Sequence, residues 1–363
     1  MKKKLTTRQA FCLTVSFFLG NTLAIMGSGS SKEKLGYLTF FPALCLFILL
    51  IFAYSFIFKK NDNKNLFEII DSEFPVVISK VFLFAIFLYS FFCAALSCGN
   101  FIFFASVSTD SQISFSLLSL FIGFCIFFIL SSNKKTLGRY CELILPFVLI
   151  MLGVMIIFGI FKGNTKNLYV TFPISVKEIL KSTFYNFLSP FANIFLIMLF
   201  MNNLSENKKL ISSSLKAGIF SAIFLSLIYF VNLLTLGKEL LSKLYYPTLF
   251  SFGVINPGLI TQRSETIYYV SYVFFDIIYI SVSLFVCLSS FTSLFLKEKN
   301  LTSAKKRILS IIFSSILVIF MIFFNFTSSF YELYTSFLLI QIPITLGIPA
   351  VIFIRSLFKK EKK

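Results

Sequence analysis

Two short segments carry the residue types that could bind a polar ligand inside an apolar environment. The first is Leu19-Gly20-Asn21-Thr22, followed by Gly27-Ser28-Gly29-Ser30-Ser31; the second is Leu188-Ser189-Pro190 with Asn193 one turn on. Glycine and proline interrupt a helix, and an interrupted helix offers free N–H and C=O groups at mid-membrane. The same residues also occur in helices that merely kink or pack closely. Ionisable residues inside apolar runs are few, so each is a candidate. Asp276 is the deepest, beside Tyr272 and Tyr279, and suits an ammonium group, a proton or a structural bond to a neighbouring hydroxyl. Arg139 and Glu142 are spaced to pair on one helix face. Arg263 and Glu265 open another apolar run, as a gate, an inter-subunit contact or an anchor. Tyr89, Ser97, Asn100, Tyr185 and Asn186 either line a polar cavity or bond adjacent helices.

Catalysis has little to work with. The chain has no histidine, which excludes a Ser-His-Asp triad, and its seven cysteines show no CxxC pair. No cofactor or metal is expected, and no nucleophile and base can be assembled into an enzyme site.

The elements that must position these residues are membrane spans. The 363 residues are 57% hydrophobic and 13% charged, with mean hydropathy +0.90, a composition that a water-facing surface cannot have. Apolar runs near the ~20 residues needed to cross a bilayer recur throughout. They predict ten spans: Gln9 to Met26, Tyr37 to Phe58, Val77 to Phe104, Ile113 to Leu130, Leu137 to Phe161, Thr183 to Met201, Leu215 to Leu236, Thr266 to Phe295, Ile308 to Phe326 and Leu333 to Leu357. The net charge of +18 would suggest nucleic acid in a soluble protein. Here most of the basic residues fall in alternate connecting segments, which the positive-inside rule reads as cytoplasmic, with both termini inside. No nucleic-acid partner is expected.

One transmembrane domain, 1–363, divides into a half over about 1–162 and another over about 176–327, continuing to 357. This gives the first and sixth spans, the two interrupted ones, equivalent places. Residues 65–74 have apolar positions at helical spacing and read as an interfacial helix on the inner side. Residues 238–263, with Tyr245-Tyr246-Pro247, read as an ordered re-entrant or surface loop on the outer side.

Leu5-Thr6-Thr7-Arg8-Gln9 leading into Leu19-Gly20, Gly138-Arg139-Tyr140-Cys141-Glu142 with Pro146, and Tyr246-Pro247 before Arg263-Ser264-Glu265 together resemble the B subunit of Gram-positive spore germinant receptors. That family looks like a branch of the amino acid/polyamine/organocation permeases. The resemblance implies an all-α LeuT-like fold of ten helices in two inverted five-helix repeats, broken at the first and sixth. It implies a mid-membrane ligand pocket around those breaks, and the polar and helix-breaking residues singled out above make Gly20, Asn21, Thr22, Tyr89, Ser189, Pro190, Asn193, Asp276 and Tyr279 its candidates. It also implies a small nutrient germinant, often an amino acid, a membrane-bound A subunit and a lipoprotein C subunit as partners, and the spore inner membrane as location. The chain departs from the pattern with Met26-Gly27-Ser28-Gly29 in place of a closing Leu-Pro and Tyr272 in place of a tryptophan.

Three functions follow as expectations: a nutrient-sensing receptor subunit; a secondary transporter coupled to protons through Asp276 or Glu142, or to sodium; and a scaffold holding an ion-conducting partner.

Overall fold

The computed structural model describes residues 5–25, 35–109, 115–168, 175–201, 207–255, 264–296, 303–324 and 336–359. The run Gly27 to Ser31, Arg263 and the end of the expected outer loop, 256–263, lie outside the described residues. So does the side chain of Asn21.

Among the described residues the chain is helical and has no strand. The helices are α1 Thr7–Ile25, α2 Phe40–Lys60, α3 Leu66–Glu73, α4 Val76–Thr109, α5 Phe115–Ser131, α6 Lys134–Lys162, α7 Val176–Asn186, α8 Ile194–Phe200, α9 Asn207–Lys243, α10 Pro247–Ile255, α11 Glu265–Phe291 and α12 Ser303–Phe324. The last, α13, covers Ser336–Leu357 and contains a π-helical turn at Pro343–Gly347.

Seven helical segments are long and apolar enough to cross a membrane: Phe40–Lys60, Val76–Ser106, Lys134–Lys162, Val176–Phe200, Asn207–Lys243, Glu265–Phe295 and Ser336–Leu357. Each overlaps a span expected from the sequence. The other expected spans coincide with α1 and with two shorter apolar helices, Ser116–Ser131 and Arg307–Phe323. Large apolar side chains face outward on these helices, Leu49, Phe52, Phe124, Ile150 and Phe323 among them. On a soluble protein such a continuous apolar exterior would aggregate; here it is the lipid-facing surface of a multi-pass membrane protein.

Two helices are central. α11 packs along α4, and α1 packs against α9, α11 and α6. In the apolar window of the α11 segment 83% of residues are buried, against 33% for α2 and α6, so α11 is core and the latter two are wall. Outside this core α2 lies on α9 and α5 on α12.

The connections are more helical than expected. α9 runs on to Lys243 beyond Gly237, whose backbone is non-helical with φ of 71°, a left-handed value that glycine adopts without a Cβ penalty. The kink opens the Leu234 carbonyl, which accepts the Asn164 N–H at 3.0 Å and the Asn167 amide at 2.8 Å. Pro247 starts α10, the helix position where a missing N–H costs nothing. The expected outer loop is therefore helix over 238–243 and Pro247–Ile255.

α3 starts at a capping arrangement, with the Glu68 carboxylate accepting the Asn65 N–H at 3.4 Å. It buries Leu66, Phe67, Ile69 and Ile70, the face that the sequence spacing predicts. Its last residue, Glu73, pairs with Lys359 at 2.5 Å, and Lys359 also donates to Asn61 at 2.7 Å. Arg355 lies over the Phe74 ring at 5.1 Å. Asn207 at the start of α9 donates to the Asn63 carbonyl at 2.8 Å. The ends of α2 and α13, the start of α9 and all of α3 thus share one face of the bundle. The ~30 residues of α9 before its kink carry the chain about 45 Å at 1.5 Å per residue, to the opposite face. Single cysteines at Lys359 and Asn65, in a chain with its native cysteines replaced, are expected to react with an impermeant thiol reagent from the same side of the membrane. A cysteine at Lys243 is expected to react from the other side; labelling of 65 and 359 from opposite sides would contradict this arrangement.

Candidate functional site

Many buried hydroxyls in the bundle serve their own helix. Thr14, Ser16, Ser90, Ser271 and Ser281 each donate to the carbonyl four residues back, the usual solution for a hydroxyl in a membrane helix. Polar groups that reach across helices are therefore the informative ones, and several converge on one place.

That place is the interruption between α7 and α8. Proline at position 190 has no N–H to donate and its ring clashes with the preceding turn. The chain responds with a π-helical turn over Phe187–Phe191, closed by the Ala192 N–H to the Phe187 carbonyl at 3.0 Å, and then a short turn to Asn193. π turns of this kind misalign the carbonyl ladder. Two carbonyls at the turn receive side-chain amides: Gln341 Nε2 donates to Leu188 O at 2.8 Å, and Asn193 Nδ2 to Ser189 O at 2.7 Å.

These two bonds fix both amides. A carbonyl only accepts, so each amide must present its NH₂ to the backbone and its oxygen away from it. Both oxygens then meet the same group, the Tyr89 hydroxyl of α4, which bonds Asn193 Oδ1 and lies 3.1 Å from Gln341 Oε1. A phenol has one proton to donate. Among the described residues two buried acceptors therefore converge on this one donor, and one of the pair has room for a further N–H or O–H.

α1 closes the site from the other side. The Thr22 and Ser189 hydroxyls are 3.3 Å apart, linking the two segments singled out in the sequence. α1 itself is helical through Gly20, Asn21 and Thr22, so its expected interruption is not at these residues. Gly20 has a packing reason: a Cβ there would lie 2.8 Å from the Phe275 carbonyl oxygen and 2.9 Å from Tyr279 Cβ. Tyr279 stacks on Phe17 with ring centroids 4.7 Å apart. The Cys93 thiol lies within hydrogen-bonding reach of both Tyr89 and Tyr279.

Asp276 occupies a different seam. It accepts the Ser97 hydroxyl, while Asn100, one turn along α4, donates to Tyr272 at 2.9 Å and accepts the Tyr246 hydroxyl at 2.9 Å. Asn186 donates to Thr39 at 2.7 Å. Ser97, Asn100 and Asn186 thus bond neighbouring helices. Glu142 pairs with Arg8 of α1 at 3.3 Å, in place of the expected partner Arg139, because α1 packs against α6 at this level. Glu265 opens α11 and approaches Gly253 of α10.

Gln341 was missed by sequence reasoning. A glutamine in the apolar stretch Leu338-Leu339-Ile340-Gln341-Ile342-Pro343 was the available signal. Gln341→Leu is expected to leave the Leu188 carbonyl unpaired and cost about 1–3 kcal/mol. Gly20→Ala, pressing a methyl on backbone, is expected to cost about 1–3 kcal/mol. Thermal unfolding in detergent micelles checks both, and unchanged melting would refute either assignment.

Compared with curated proteins, the chain has no significant match. The family model described as "Spore germination protein" matches residues 4–331, a range holding every α1, α4, α7 and α8 residue of the site but ending before Gln341. A helical bundle with an apolar exterior, with polar groups gathered at a proline-broken helix and the family's pattern over most of its length, belongs to the spore germination protein family.

Proposed function

We propose that this protein is the nutrient-sensing membrane subunit of a spore germination receptor, taking a small molecule of the amino-acid class at the contact between α1 and the α7–α8 break. The observation that carries this reading is the pair of amide oxygens on Asn193 and Gln341 facing the one proton of Tyr89. An ammonium group supplies the donors that this junction lacks, and the hydroxyls of Thr22 and Ser189, 3.3 Å apart, supply donors for a carboxylate. Family membership supports the biological setting.

The fold proposed with this function is the ten-helix, five-plus-five arrangement. Its support is that helices five spans apart in the sequence are neighbours: α2 with α9, α4 with α11, α5 with α12, and α1 with the π turn at Phe187–Phe191. Within that arrangement the ligand sits where equivalent helices of the two halves meet.

Signalling then follows from differential binding. In this conformation the polar groups of the break bond one another, so a ligand inserts only by exchanging its own bonds for theirs. It shifts the helices only as far as it prefers the opened form. The α7–α8 segment touches α2, and α13 reaches the break through Gln341; both helices have outward faces for partners of the A-subunit and lipoprotein C-subunit type. The spore inner membrane is the proposed location, with both termini cytoplasmic.

Ser189→Leu is expected to abolish the germination response to amino acids while leaving the amount of protein in the membrane unchanged. Unaltered nutrient sensitivity of spores carrying it would overturn the site. Accumulation of labelled amino acid in vesicles containing the chain alone would instead mark a secondary transporter.

A further inference from the structure

Asp276 is wholly buried at the seam where α11 packs along α4. Its Oδ1 accepts the Ser97 hydroxyl, while Oδ2 has no hydrogen-bond partner among the described residues. An ionised carboxylate in an apolar interior with one oxygen unpaired is among the costliest arrangements in a protein, and it is relieved by a paired cation or by a proton.

The surroundings favour the proton. The titratable groups near enough to feel a charge on Asp276 are Cys98 of α4, Tyr268 and Tyr272 of α11 and Tyr246 ahead of α10. All are acids whose ionised forms would repel a carboxylate. On its other faces α11 meets Tyr140 of α6 through Phe274, Cys125 of α5 beside Ile277, Phe17 and Gly20 of α1, and Phe200 of α8. Lys134 of α6 donates to Ser289 of α11 at 3.1 Å, more than three turns along the helix from Asp276; Arg8 of α1 and Glu142 of α6 pair with each other, and the Lys359–Glu73 pair joins the end of the chain to α3. Among the described residues no group of three metal-ligating side chains occurs.

We propose that Asp276 is a proton-binding site, with Oδ2 carrying a proton taken from and returned to water, and that the neutral acid is what allows α4 and α11 to close over it. The seam also holds Asn100, Tyr272 and Tyr246 one turn away. Loss of the proton places an uncompensated charge between two turns of α4 and two of α11 and loosens the attachment of the α10 region.

This inference does not rest on the germinant reading, and its test uses no germinant. The full chain in lipid vesicles is examined by infrared spectroscopy as pH is raised. At neutral pH the wild type is expected to show the carbonyl band of a protonated carboxylic acid, which vanishes on titration to alkaline pH and is missing from Asp276→Asn. Ser97→Ala removes a bond that favours the ionised form. It is expected to move the disappearance upward by about one pH unit, a tenfold gain in proton affinity. This variant keeps the test open if Asp276→Asn fails to fold. Persistence of the band in folded Asp276→Asn, its absence from the neutral-pH wild type, or a Ser97→Ala midpoint that stays or falls would overturn the proposal. A midpoint that falls as sodium is raised would overturn it too, assigning Oδ2 to a metal cation instead.

Discussion

Inside the hydrocarbon layer there is no water to pair a backbone amide or carbonyl, and each group left open costs several kcal/mol. Two irregularities among the described residues show how such groups are taken up. Where α9 kinks at Gly237, the Leu234 carbonyl is taken up by Asn164 and Asn167. Where proline at position 190 forces a π turn, the Leu188 and Ser189 carbonyls are taken up by the amides of Gln341 and Asn193. The difference lies in the remaining halves of those amides. At the kink the compensation comes from a connecting segment, whereas at the break it brings two amide oxygens and a tyrosine hydroxyl together at the centre of the bundle. A structural repair thereby becomes a polar site.

The same constraint separates decoration from chemistry among the hydroxyls. A serine that donates to its own helix is satisfied locally and says nothing of its neighbours. The bonds Thr22 to Ser189, Tyr89 to Asn193 and Ser97 to Asp276 cross between helices. They lie on α1, α4, α11 and the α7–α8 segment, the elements that form the buried middle of the bundle. The site and the seam around Asp276 share α4 and α11 but not their partners. Tyr279 of the site and Asp276 of the seam stand a turn apart on α11.

Much of the fold was legible in the sequence because lipid imposes a coarse rule. A helix must be apolar for its full crossing, so span positions follow from composition alone, and the long crossings at α4 and α11 were visible as long apolar runs. The capped amphipathic helix α3 was legible from spacing. Boundaries shifted where a second requirement acted: α9 extends because Gly237 permits a kink without ending the helix, and α7 begins early because its first turns are amphipathic rather than apolar. The proline-interrupted segment around Ser189 and Asn193 was also legible, since proline removes a donor wherever it is placed.

Partnerships were not legible, because a pairing across the bundle depends on which helices touch and at what height. Glu142 had a suitable partner three residues away and bonds Arg8 instead. Gly20 fitted a helix break and is explained by the close approach of the Phe275 carbonyl. Gln341 lay unremarked in an apolar run. The sequence by itself determined that this chain spans a membrane repeatedly, where its helices lie and where one of them breaks, because these depend on transfer of each segment into lipid and on proline chemistry. Only the tertiary structure decided which carbonyl each amide caps, that two acceptors meet one hydroxyl, and that Asp276 keeps an unpaired oxygen. Apart from the Asn193 cap, made four residues back, the bonds behind those facts join residues more than a hundred positions apart, which packing sets.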